Sequence, residues 1–145
     1  MDEKMLFFRW NVVINALMAL SINTAATILA GGDSLSGWVR GCCCAFTINT
    51  IAAVIVPVGI IGSCFSEKIC KQKKGTFPEM LARIFLVNAI YVTIVSFCNA
   101  IINVGVGSSL VAAWWSTYPK LHLVGLITNL IIEIPVTKAV YGNTG

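Results

Sequence analysis

The chain is expected to be all-α: a polytopic membrane protein whose four transmembrane helices form two tandem helical hairpins in parallel orientation. Three observations predict this. Apolar residues make up 57% of the 145 positions and charged residues only 11%, where a soluble domain carries about a quarter charged. A body this small keeps much of its surface exposed, so the apolar excess must face lipid. Four predominantly apolar runs are long enough to cross a hydrocarbon core of about 30 Å, for which a helix needs roughly 20 residues. The third observation is an internal repeat.

The runs come in order at residues 10–30, 41–65, 84–104 and about 121–141. In hydrocarbon every peptide group must be bonded internally, so spans are helices or closed barrels. These runs lack strict alternation and are too long for barrel strands. The first is longer than the core of a cleaved signal, holds Asn11, Asn15 and Asn23, and has a counterpart later in the chain; it is read as a retained span. The units are a first hairpin, residues 1–65, a basic cytoplasmic loop, 66–82, and a second hairpin, 83–145.

Charge orients the helices. Lys4 and Arg9, then Lys68, Lys71, Lys73, Lys74 and Arg83, then Lys138 fall on one side of a four-span thread; Arg40 and Lys120 fall on the other. The basic side of a membrane protein is cytoplasmic, which puts both termini and the middle loop there, with a plasma (inner) membrane location. Trp10 and Tyr141 belong at the inner interface, and Trp38, Trp114, Trp115 and Tyr118 at the outer one, where amphipathic rings settle. The net charge of +4 is therefore a topology signal and no nucleic-acid footprint. Lys68, Lys71, Lys73 and Lys74 either contact anionic lipid headgroups, at about 1 kcal/mol each, or only anchor the hairpins.

The stretch RWNVVINALMALSINTAATILAGGDSLSGW aligns with RIFLVNAIYVTIVSFCNAIINVGVGSSLVAAWW. Arg9 meets Arg83, Asn15-Ala16 meets Asn88-Ala89, Gly31 meets Gly105, Leu35 meets Leu110, and Trp38 meets Trp114. The helices that follow reach proline in IVPVGIIG and EIPVTKAVYG. A two-helix unit returns the chain to its starting side, so its copy has the same orientation and the halves are related by an axis along the membrane normal. Each half resembles the bacterial membrane family filed as domain of unknown function 2798, through Trp38, Arg40, Phe46 and Pro57 in the first and Trp114, Pro135 and Lys138 in the second. The resemblance covers about residues 9–63 and 83–142 and implies a fold without an activity. In the second copy no Arg follows Trp114-Trp115, and Glu133 stands before the proline.

Polar groups in spans are costly and mark function or helix pairing. At 100° per residue His122, Asn129 and Glu133 fall within about 40° on one helix, and Asn88, Asn99 and Asn103 within about 60° on another. Asn15 follows Asn11 by one turn, and Thr47, Asn49 and Thr50 sit on the second helix. The expected solute or proton path is Glu133, Asn129, His122, Asn88, Asn99, Asn103, Asn15 and Asn49, with Glu133 the ionisable gate. The competing account is structural: amides bond helix to helix, at about 0.6 kcal/mol per contact, and Glu133, about a turn from Lys138, is wet or salt-bridged.

Consecutive Cys42, Cys43 and Cys44 point 100° apart on a helix and cannot close around one ion. A single disulfide from this run to Cys98 is left open, and Cys64 and Cys70 lie on the reducing side. No metal and no cofactor is expected. One His, no H-E-x-x-H, no phosphate-binding loop and no nucleophile elbow argue against an enzyme; Asp33, beside Ser34 and Ser36, has no base near it. The expected function is transport or permeation of a small solute or protons. The alternative is a non-catalytic accessory or scaffolding subunit. Expected partners are the lipid bilayer, further copies of the chain in a homo-oligomer and, on the accessory reading, another membrane protein.

Overall fold

The computed structural model describes residues 3–32 and 34–142; Asp33, the acid of the first interhelical loop, lies outside the described residues. The helices are α1 (Glu3–Leu29), α2 (Leu35–Ile55), α3 (Val58–Cys64), α4 (Phe77–Val104) and α5 (Leu110–Tyr141), with a π-helical turn at Phe65–Ile69. No strand occurs among the described residues. α1, α2, α4 and α5 are each long and apolar enough to cross a membrane.

Local chemistry sets the helix ends. α1 closes in a Schellman arrangement: Gly32 N–H donates to Thr27 O at 2.9 Å and Gly31 N–H to Ile28 O at 3.1 Å. Gly31 takes φ +89° there, which a side chain disfavours. Gly105, the position aligned with it above, likewise ends α4 at φ +80°. Ser34 caps α2 by accepting the Gly37 N–H at 3.1 Å, filling one of the bonds a helix start lacks. Pro78 lies in the first turn of α4, where its missing N–H costs nothing.

Two helices differ from the sequence expectation. The run 41–65 is broken: Val58 N–H donates to Val56 O at 2.7 Å, and Pro57 has φ −76° and ψ 60°. That is an inverse γ-turn, and α3 restarts beyond it. α2 alone, 21 residues, is about 32 Å long and suffices as a span. α5 starts at Leu110, well before residue 121, because WWSTYPK is helical and Pro119 is accommodated inside the helix. Losing one N–H bond to a proline does not end a helix whose neighbours hold it.

α1 packs against α2 and α5, and α4 against α5, α2 and α3, so the four long helices form a closed ring. The core joins Ile14, Met18 and Ile22 of α1 to Val92 of α4 and Leu121 and Val136 of α5. Ala19, Ala45 and Val95 make a second cluster, in which small side chains let α1 and α2 approach. The burial pattern is inverted relative to a soluble protein. Asn15, Asn23, Asn49, Asn88 and Asn129 are buried, whereas Val54 is 83% and Ile28 70% exposed. Such a surface suits a solvent of lipid tails.

A candidate solute-binding cavity

A cavity of about 90 Å³ lies inside the ring, beside the break at Pro57. α1 contributes Trp10, Asn11, Ile14, Asn15 and Met18 at helical spacing. Asn49 comes from α2, and Val58 and Gly59 from the restart after the γ-turn. α4 supplies Arg83, Ile84, Val87 and Tyr91; α5 supplies Asn129 and Glu133. The cavity runs from exposed Phe7 to Met18. Ile14 and Met18 also belong to the apolar core, so the core packs along this wall of the cavity.

Asn15 and Asn49 are 4% and 2% exposed, and the Nδ2 of Asn15 and Oδ1 of Asn49 are buried without a hydrogen-bond partner. Buried amide atoms are normally bonded, and leaving one unmade costs about 1–3 kcal/mol. Asn11, by contrast, is spent on its own helix, donating to Phe7 O at 2.9 Å. Trp10 Nε1 donates to Thr137 Oγ1 at 3.0 Å, tying α1 to α5 at the same end.

Arg83 crosses this end of the bundle. Its Nη2 donates to Glu133 Oε1 at 2.7 Å, and its Nε lies 3.5 Å from Glu79 Oε1 one turn back on α4. Glu79 also accepts from Ser66 Oγ at 3.0 Å, which fastens the π-turn to α4. One guanidinium is thus shared by two carboxylates, both largely shielded from solvent. The pairing of Glu133 is with Arg83, from the preceding long helix, while Lys138 is exposed.

The eight polar residues singled out from the sequence fall into three groups. Asn15, Asn49, Asn129 and Glu133 line the cavity. Asn88 and His122 form a separate lock between α4 and α5. Asn88 Nδ2 is 3.0 Å from His122 Nδ1 and donates to His122 O at 2.9 Å. The imidazole stacks on Tyr118 with centroids 5.9 Å apart and meets Phe85 edge-on at 5.2 Å. Asn99 is half-buried and Asn103 exposed, and neither lines the cavity. Lys68, Lys71, Lys73 and Lys74 are all exposed.

Sequence reasoning passed over Arg83, Glu79, Ser66 and Tyr91. Arg83 counts there only as a topology charge, because the span is expected to begin at residue 84, whereas α4 begins at Phe77. The signal was present: Glu79 and Arg83 stand four apart after Pro78, which is a helix start with an ion pair in its first turns. All six cysteines carry free thiols, and no group of three or more metal-ligating side chains is found among the described residues. No protein-family model, curated protein or solved structure matches the chain.

Proposed function

We propose that the chain is a carrier for a small solute, which binds in the cavity between Asn15, Asn49, Asn129 and the Arg83–Glu133 pair. One observation carries the reading: two buried amides without partners line a cavity walled by all four long helices. The cavity does not continue through the bundle, because Ile22, Val92 and Leu121 pack together as apolar core. That favours a binding site exposed to one side at a time over a standing pore.

The same reading takes the helices as two tandem hairpins in parallel orientation, as in the domain of unknown function 2798 family, with both termini and the basic loop cytoplasmic in the inner membrane. A repeated bond supports the duplication. Trp38 Nε1 donates to Thr24 Oγ1 at 3.0 Å, and Trp114 Nε1 to Ser96 Oγ at 2.8 Å, each from the second helix of its half to the first. The order of contacts around the ring is also unchanged when α1 is exchanged with α4 and α2 with α5. Lys68, Lys71, Lys73 and Lys74 face anionic headgroups in this arrangement.

The test is solute uptake by proteoliposomes holding the full chain. Saturable uptake is expected, and at least a tenfold loss in Glu133→Gln. The thermal melt of Glu133→Gln in detergent is measured beside it as a control for folding. Unchanged uptake in Glu133→Gln refutes the carrier reading. An accessory role, or a homo-oligomer, is favoured by the stacked aromatic surface of Trp114, Trp115 and Tyr118, with Trp115 60% exposed. Co-purification with an unrelated membrane protein at fixed ratio supports the first, and a defined multiple of the chain mass supports the second.

A further inference from the structure

We infer that the solute is a small, uncharged molecule bearing both a hydrogen-bond donor and an acceptor on a short apolar body, such as a compact amide or diol. The inference rests on the carrier reading and adds the chemical class of its cargo. Three features of the wall exclude an ion and select this class.

The first is charge. The ionisable side chains of the wall are Arg83, Tyr91 and Glu133. Arg83 and Glu133 are bonded to each other at 2.7 Å, so the formal charge of the wall is zero. Glu79, which would tip the balance, is held by Ser66 and Arg83 and is not part of the wall. A bare ion entering here meets no opposite charge unless it first breaks that pair, and an unpaired charge is costly in a low-dielectric interior.

The second is hydrogen bonding. Asn15 has a free buried donor atom and Asn49 a free buried acceptor atom. A cation lacking lone pairs leaves the donor unsatisfied, and a carboxylate leaves the acceptor unsatisfied. A molecule with both groups serves both.

The third is size and polarity. About 90 Å³ is several times the space that one water requires, and it suits a handful of non-hydrogen atoms. Ile14, Met18, Ile84 and Val87 make the rest of the wall apolar, so part of the solute is hydrocarbon. Gly59 stands at the exposed rim of this space, and a Cβ built there meets nothing within 4 Å.

Proteoliposomes containing the full chain are assayed by counterflow with four radiolabelled probes: acetamide and propane-1,2-diol as neutral solutes, methylammonium as cation, acetate as anion. Saturable uptake of the two neutral probes alone is expected, falling at least tenfold in Asn15→Leu and Asn49→Leu and unchanged in Asn103→Leu. Thermal melts of the two asparagine variants in detergent should lie no lower than wild type, which separates lost binding from lost folding. Saturable uptake of methylammonium or acetate overturns the neutral class and leaves the carrier reading standing. Saturable uptake of none of the four overturns both. Neutral uptake that persists undiminished in both asparagine variants shows that the solute binds elsewhere.

Discussion

Arg83 and Glu133, fifty positions apart in the chain, hold α4 to α5 through a 2.7 Å charged hydrogen bond. The bond is asymmetric in its consequences, because Glu79 also lies 3.5 Å from the same guanidinium. Removing Glu133 leaves Arg83 with a carboxylate beside it. Removing Arg83 strands two.

Arg83→Gln is therefore expected to be the more damaging substitution, at about 3–5 kcal/mol for leaving buried carboxylates uncompensated. Glu133→Gln is expected to cost about 1–3 kcal/mol, on the scale of a lost charged hydrogen bond. The double variant should cost less than the sum of the singles, since residues in one network do not act independently. Unfolding in detergent, followed by helical circular dichroism, ranks the three. Equal losses from the two single variants would count against a shared guanidinium.

The cavity amides carry the opposite sign. Replacing Asn15 or Asn49 by Leu removes a buried atom that has no partner and adds apolar contact in place of an unmet bond. The expected result is a melting temperature equal to or above wild type, with a gain of about 1–3 kcal/mol if the full penalty is relieved. Asn88→Leu is the contrasting variant. It also has an unpartnered Oδ1, but its Nδ2 makes two contacts to His122, so it should lose stability. Thermal melts of the three variants side by side distinguish amides kept for a ligand from one kept for the fold.

Gly125 is the seat of that Asn88 lock. A Cβ at Gly125 would collide with Asn88 Oδ1 and stand 3.0 Å from Val92 Cγ2. Asn88 cannot swing away without giving up His122, and Val92 is fully buried. Gly125→Ala is expected to destabilise by about 1–3 kcal/mol, the range for overpacking a filled core. Gly59→Ala, where the added atom meets nothing, serves as the neutral control in the same melting assay.

Hydropathy made the four long helices legible, because lipid imposes a length and a composition on any span. Their ends were less so. Pro57 and Pro119 look alike in sequence, yet one sits in a γ-turn and the other inside α5; packing against neighbouring helices decides between these outcomes, and hydropathy does not record it. The site was half legible. Angular counting put Asn129 and Glu133 on one face, where both line the cavity. It also grouped Asn88 with Asn103, although Asn88 is wholly buried and Asn103 exposed. Asn103 lies in the last turn of α4, so its depth along the helix, and not its angle, removes it from the interior. Partners across helices, such as Arg83 for Glu133, are a property of the assembled bundle that no single helix encodes.

The proposed duplication makes the last prediction. If the halves descend from one hairpin, the Trp38–Thr24 and Trp114–Ser96 bonds are the same device used twice, at 3.0 and 2.8 Å. Trp→Phe at either position keeps most of the ring and deletes the indole donor, leaving the hydroxyl on the facing helix without it. Each substitution is expected to cost about 1 kcal/mol, the usual net value of a neutral hydrogen bond. The two losses should add in the double variant, because the residues share no partner. Trp114 also contacts Phe97 edge-on at 5.7 Å and Tyr118 at 5.0 Å, so its replacement should be slightly the worse of the two. Thr24→Val and Ser96→Ala, which remove the acceptors instead, should reproduce the losses and add nothing when combined with the matching Phe. Melting curves for this set that show no coupling in either half would sink the account of Trp as the clasp of each hairpin.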